Sequence, residues 1–233
     1  MTLKRILTPD WDLPSGVSAA VTTRAMGNLA AHVGDDPAAV MRRREQLRRQ
    51  LNLPYYVRWL QQQHTTNVSQ LNELMQPCDA VWSAEASVCA VLTADCLPLL
   101  MCTSDGKKIA AVHAGWRGLA QGVVENTLSA MAVNPASVSV WVGPAISQSA
   151  FQVGNEVRTA LLNGESSLAE YFVDDGQGKW LADLPGIAKQ RLHKVGVQDV
   201  TLSGWCSFND AATWYSWRRA QEPARMASLI WRT

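Results

Sequence analysis

One stretch constrains the fold more than any other. SVCAVLTADCLPLLMCT, residues 87–103, is a long apolar run followed almost at once by KKIAAVH at 107–113. The first run is interrupted at Ala94-Asp95-Cys96 and carries Pro98, so it predicts two strand pieces with a bend at Asp95–Cys96. Ser104-Asp105-Gly106 then reads as a hairpin turn, and 107–113 as a further strand that ends on His113.

Other segments fill in the fold around that centre. GVSAAVTTR (16–24) alternates and is rich in small and β-branched residues, which predicts a strand. DDPAAVMRRREQLRRQLNLP (35–54) predicts a helix, with Asp36 as cap, Pro37 in the first turn, and Val40, Leu47 and Leu51 on the apolar face. YYVRWLQQQH (55–64) predicts a strand leading into a polar end. Helices are expected at 118–131, 154–163 and 184–197, and strands at 137–146, 213–219 and 226–232. Strands and helices mix without strict alternation. The expectation is an α/β (α+β) fold, a single layered domain over 1–233 with a mixed β-sheet and flanking helices.

Composition narrows the function classes. The formal net charge is +1 over 233 residues, which points to neither nucleic acid nor a membrane surface as partner. The arginines crowding 42–49 therefore read as a solvated helix face. The N-terminal stretch has no long apolar h-region, no apolar run reaches membrane-spanning length, and the five cysteines form no C-x-x-C pair. The expected location is the cytoplasm.

The chain has four histidines, His32, His64, His113 and His193. His64 and His113 stand where apolar strands give way to polar or glycine-rich sequence, and Cys96 stands in a similar place. Strand ends in layered α/β folds open onto a common crevice, so the three side chains could converge. Three readings stay open. Two imidazoles and a thiolate make a three-ligand zinc site with an open fourth position. Cys96 and His113 make a nucleophile–base pair, oriented by Asp95, Asp79 or His64. Or all three are core residues with satisfied hydrogen bonds. His193 reads as a packing or surface residue in a helix, and His32 could line a pocket. Arg117, Arg24 and the pair Arg218-Arg219 are candidate phosphate ligands. Trp116, Trp214 and Trp217 could stack on a heterocycle.

At QQQHTTNV, CDAVWS, VLTADCLPLL, IAAVHAGWRGLAQGVVENTL, VGPAISQSAFQVGNEV and RMASLIW the sequence resembles the YfiH family, also called laccase-domain or polyphenol-oxidase-like proteins. The resemblance runs from about Gly16 to Trp231, and TADC followed by AAVHAGWRG is specific in combination. It implies a single α/β domain with a zinc-binding pocket whose ligands are His64, Cys96 and His113. It also implies purine nucleoside processing: phosphorolysis of adenosine, inosine and methylthioadenosine, and deamination of adenosine. The expected partners are therefore a small nucleoside and phosphate, with no nucleic acid and no membrane. Other descriptions of the family are copper-dependent phenol oxidation and editing of cytoplasmic peptidoglycan precursors. A distant likeness to deamidase toxins keeps Cys–His hydrolase chemistry open, and a zinc-stabilised binding module is the non-enzymatic alternative.

Two segments depart from the family pattern. TTRAMGNLAAH is shorter than the usual glycine-rich loop, and this bears on Asn28 and His32 as substrate-holding residues. YSWRRAQEPAR keeps the arginines of a Phe-Ser-Tyr-Arg-Arg-Asp…Gly-Arg pattern but lacks its acidic residue. Histidine counting bears on oxidase chemistry: once His64 and His113 are committed, two histidines remain, too few for a trinuclear copper cluster. A single His₂Cys copper site stays compatible with the ligand set.

Overall fold

The computed structural model describes residues 4–73 and 75–233. In chain order the elements are β1 (Ile6–Leu7), β2 (Val17–Thr22), α1 (Pro37–Gln50), β3 (Val68–Gln70), β4 (Ala80–Ser83), β5 (Val88–Thr93), β6 (Leu97–Thr103), β7 (Ile109–Ala114), α2 (Trp116–Gln121), α3 (Val123–Met131), β8 (Val138–Val142), β9 (Gln152–Gly154), α4 (Asn155–Leu162), β10 (Phe172–Asp174), β11 (Lys179–Ala182), α5 (Leu184–Lys194), β12 (Asp199–Leu202), α6 (Trp217–Ala220) and β13 (Met226–Arg232). The mixed sheet has six strands in the order β12-β8-β6-β7-β4-β3, with parallel pairs at both edges and antiparallel pairs between them. Two antiparallel sheets join it, β1-β2-β13-β5 and β10-β11-β9.

The apolar runs are continuous because their strands are covered on both faces. In β6, Leu97, Leu99 and Met101 pack under α2–α5, while Leu100 and Cys102 face the four-stranded sheet. In β5, Cys89 and Val91 face the six-stranded sheet, while Val88, Ala90 and Leu92 pack toward Leu47 of α1. The result is helix, sheet, sheet, helix. The same alternation turns His113 of β7 to the side of Ile109 and Ala111, away from the helices. Among the described residues no helix is long and apolar enough to cross a membrane.

Three sequence expectations need correction. Residues 55–64 form no strand. Instead the Gln62 carboxamide pairs with the edge of β5, donating to Leu92 O at 2.7 Å and accepting from Leu92 N at 2.8 Å. One side chain does there what a backbone ladder would have done. The helix expected over 118–131 is two helices, because Gly122 sits at φ 93°, a left-handed conformation that ends α2 and starts α3. Residues 213–219 are not a closing strand: the chain turns and enters the short α6, capped by Ser216, whose hydroxyl accepts from Arg219 N.

Candidate metal centre

The antiparallel pairing of β6 with β7 sets Leu97 opposite Ala114 and Pro98 opposite His113, so the start of one strand lies beside the end of the other. Cys96 precedes β6 and His113 is the penultimate residue of β7. The third group, His64, comes from the loop before β3. Its ring meets that of His113 edge-on at 4.8 Å between centroids. Nε2 of His64 is 3.6 Å from Sγ of Cys96, and one ligand atom from each of His64, Cys96 and His113 lies within 4.8 Å of the other two. A tetrahedral zinc with bonds of about 2.3 Å to sulfur and about 2.05 Å to nitrogen sets such atoms about 3.6 Å apart. The donor set and its spacing therefore fit one divalent ion with a corner left open.

Asp79 organises this cluster. Fully buried, its carboxylate accepts from Nδ1 of His113 at 2.7 Å, from the backbone N–H groups of Gln63, His64 and Thr65 at 3.1, 3.0 and 2.7 Å, and from the Thr65 hydroxyl at 2.8 Å. One side chain thus fixes the tautomer of His113, leaving Nε2 for a ligand, and pins the loop that carries His64. That loop needs pinning, since His64 itself sits at φ 59°, where non-glycine residues are uncommon. Burial pushes the Asp79 carboxyl up, but the hydrogen bonds from His113 and Thr65 outweigh it and bring the pKa to about 2. Burial likewise works against a charged His113, yet Asp79 and then Cys96 raise it to about 9. Burial raises the Cys96 thiol, and the hydrogen bonds and charges of His113 and His64 reverse this to about 6. Cys89, buried in the sheet interface with no such neighbours, is pushed far above the usual thiol range.

The glycines of AGWRG now have a physical reason. A Cβ on Gly115 would stand 2.5 Å from Cδ2 of His64 and 3.1 Å from Sγ of Cys96. No larger residue lets β7 turn into α2 while those two ligands approach. On Gly118 a Cβ would come within 3.2 Å of the Thr65 carbonyl oxygen, so α2 also backs onto the His64 loop.

The cluster opens into a cavity of about 470 Å³. His32, Arg117 and Arg218 line it together with His64, Cys96 and His113, and Trp116, Phe151 and Trp217 supply aromatic wall. Arg117 lies over the ring of Trp116 and Arg218 over that of Phe151. Arg24 and Asn28 are placed elsewhere. Arg24 pairs with Glu222, donates to Ala211 O and lies over Tyr215. The Asn28 amide is buried, donating to Ala30 O and Asp35 and accepting from the N–H groups of Ala30 and Arg225. The short loop after β2 has turned that side chain inward, where it braces the segment ahead of β13. Asp95, at φ 82°, is committed as well: its oxygens accept from the Ser207 hydroxyl and from Arg218 N, each at 2.7 Å. His193 is outside the cavity, its Nδ1 donating to Val197 O. Sequence reasoning did not single out Arg225, Gln62 or Thr93 as cavity residues. Arg225 sits in the RMASLIW segment that carried the family resemblance and is the last of the arginines that YSWRRAQEPAR keeps.

Layered sheets with a Cys–His pair at facing strand ends and a second histidine on an adjoining loop define a class of mixed α/β proteins with a candidate mononuclear metal centre. The family model described as multi-copper polyphenol oxidoreductase laccase matches residues 14–233, and the chain belongs to this family, the YfiH or laccase-domain family. The protein named purine nucleoside phosphorylase YfiH in Escherichia coli strain K12 is 40% identical over 242 residues, covering 98% of this chain and 99% of its own. A Pseudomonas aeruginosa protein named purine nucleoside phosphorylase PA4543 is 43% identical over 237 residues, covering 97% of each. The crystal structure of Neisseria meningitidis protein NMB0706 superposes with a TM-score of 0.93 at 42% identity, over 98% of this chain and 99% of that one.

Proposed function

We propose that the protein is a zinc-dependent purine nucleoside phosphorylase acting on adenosine, inosine or methylthioadenosine. The observation that carries this reading is the meeting, in one cavity, of the His64–Cys96–His113 group with two arginines, Arg117 and Arg218. The names of the curated relatives support it. Cleaving the glycosidic bond leaves positive charge on the sugar and negative charge on the departing base. Arg117, Arg218 and His32 hold phosphate for attack at the ribose carbon, and Trp116, Phe151 and Trp217 hold the purine. His64, Cys96 and His113 would hold the metal, which supplies Lewis acidity toward the leaving base or the oxyanion.

Deamination of adenosine is a weaker reading on this geometry. It calls for a carboxylate that can move a proton at the purine, and Asp79 and Asp95 both spend their oxygens on internal hydrogen bonds. Multicopper chemistry fits poorly too: among the described residues one His/Cys group can hold a metal, and it suits a single ion. A single copper bound there would share the zinc ligands.

A second reading rests on a specific observation. Cys96, His113 and Asp79 stand in the order nucleophile, base and orienting carboxylate, with the thiol near 6. Without metal this is the layout of a Cys–His hydrolase or amidase, a class that includes cleavage of peptidoglycan precursors. Incubation of the metal-loaded protein with inosine and phosphate tests the primary reading. Hypoxanthine and ribose 1-phosphate should appear, and His113→Ala should abolish both. Absence of base release from the loaded protein removes the phosphorylase. Amidase activity that survives chelation and is lost on iodoacetamide treatment would install the second reading.

A further inference from the structure

A second carboxylate gathers segments around the cavity. Asp95 stands at the bend between β5 and β6, directly before Cys96, where it is buried and lines the cavity. Its φ of 82° lies in the left-handed region, which aspartate and asparagine enter more readily than most residues and glycine enters freely. Three segments reach it there. The Ser207 hydroxyl donates to Oδ1 and the backbone N–H of Arg218 to Oδ2, each at 2.7 Å. The N–H of Ile146 donates to the Asp95 carbonyl oxygen at 3.0 Å. Ile146 and Arg218 themselves line the cavity.

The bond to Arg218 matters because of what α6 is. Its four residues make one helical turn, and a single turn does not hold by itself. Its first amides find acceptors outside the helix. The Ser216 hydroxyl takes the N–H of Arg219, and Asp95, 123 residues away in the chain, takes that of Arg218. Asp95 is therefore a long-range cap of α6. Arg219 fastens the same corner: Nη1 donates to the carbonyls of Ser207 and Phe208, and Nη2 to that of Trp214. Ser207 is thus held between Asp95 and Arg219. The Arg218 guanidinium lies over Phe151, and its Nη1 donates to Gln152 O at 2.9 Å. One peptide link and one charge-assisted hydrogen bond separate Cys96 from Arg218.

We propose that Asp95 is a positioning residue: its carboxylate sets the root of Trp217 and Arg218 relative to the metal-ligand bend at Cys96, so that the anion-binding arginine and the aromatic wall stand at a fixed reach from the metal centre. The proposal rests on the phosphorolytic reading above, in which phosphate and nucleoside must be held in register. The backbone of Asp95 carries Cys96, and its side chain carries α6. Removing the side chain alone should therefore disturb anion binding and spare the metal.

Calorimetric titration of the metal-loaded full chain with inorganic phosphate tests this, with metal content and amide hydrogen exchange over residues 215–221 measured on the same proteins. Asp95→Gly takes the backbone conformation without strain. It should keep its metal, exchange faster over α6 and bind phosphate about tenfold more weakly. Adding Arg218→Ala should cost no more than either change alone, because both remove one and the same contact to the anion. Asp95→Asn should restore affinity to within about twofold, since its carbonyl accepts from Arg218 N while its amide donates to a reversed Ser207 hydroxyl. Ser207→Ala frees one oxygen of Asp95 and should weaken phosphate about threefold. Unchanged phosphate affinity in Asp95→Gly while the wild type carries out phosphorolysis overturns the tether alone, and so do additive losses in the double variant. Asp95→Asn that binds phosphate but turns nothing over assigns the carboxylate to proton transfer and also overturns it. Phosphate affinity governed by Asp95 in a wild type without phosphorolysis keeps the tether and removes the phosphorylase. A wild type that binds no phosphate removes both.

Discussion

The two walls of the cavity are built differently. The metal-ligand wall is sheet-borne: His113 lies in β7, Cys96 immediately precedes β6, and His64 is tied down by three successive backbone N–H groups that reach one carboxylate. The arginine wall is drawn from helices and a loop: Arg117 lies in α2, Arg218 in the short α6 and Arg225 in the irregular chain just before β13. Arg218 donates to the carbonyls of Ala150 and Gln152, and Arg225 to those of Glu222, Pro223 and Ala224. A metal needs ligand atoms placed to a few tenths of an ångström, and hydrogen-bonded strands deliver that. An anion tolerates more play, because charge acts over a longer range than a coordination bond. Perturbing the first wall should therefore act on stability and metal content together. Perturbing the second should act on anion binding alone.

The largest effect is expected from Asp79. Asp79→Ala leaves several buried donors without an acceptor, a loss of about 3 kcal/mol or more. Metal affinity should fall about 10- to 100-fold through the misplaced His113. Thermal unfolding and metal stoichiometry of the purified protein check both, and a stable variant with full metal content would break the comparison. Gly115→Ala comes next. Its methyl group must displace His64 or Cys96 at a cost of about 1–3 kcal/mol, and metal content should drop while phosphate binding by the apo protein stays. Crystallography of the variant would show which ligand moved.

The acid limb of stability sharpens the contrast. The Asp79 pKa is lowered from 3.8 to about 2, so its contribution is fully present above pH about 4 and is lost as pH falls through 2. Metal-free wild type should shed about 2 kcal/mol over that interval, and Asp79→Asn should lose the slope. Urea titrations between pH 2 and 5 measure it. On the second wall, Arg218→Ala should raise the phosphate KM about tenfold with an unchanged melting temperature. Arg24→Ala, which lies off the cavity, should leave that KM alone. Smallest is a labelling difference: in chelated protein at pH 7, Cys96, with its thiol near 6, should react with iodoacetamide, while buried Cys89 stays unmodified. Peptide mapping reads both sites in one experiment.

The same division governs what could be read from sequence. The strand pieces at 88–93 and 97–103, the bend at Asp95 and the strand ending near His113 were legible because apolar periodicity and Pro/Gly punctuation are local signals. Placing Cys96 and His113 at strand ends was enough to propose their convergence. Asp79 was legible only as one of three candidate orienting groups; that it is the hub was not, because its role depends on His113 and on the loop at 63–65 arriving from elsewhere in the chain. Residues 55–64 misled because aromatic and β-branched residues favour a strand, while the actual pairing with β5 runs through one side-chain amide. Arg24 was a candidate as a cation after a strand, and Asn28 through the family resemblance. Arg24 pairs with Glu222, 198 residues away in the chain, and Asn28 with Asp35, partners that no local signal announces. Arg225 and Thr93 lay within segments that carried the family resemblance, but nothing in their immediate sequence marked either as a cavity residue.

The Gln62 carboxamide has a consequence of its own. β5 is the outer strand of its sheet, and such rails invite pairing with a neighbouring chain. By docking on Leu92, Gln62 occupies both hydrogen-bonding groups of that residue and tethers the approach to His64 two positions on. Protection against intermolecular strand addition and placement of a metal ligand therefore share one latch, and any event that peels this edge would also slacken the grip on the ion.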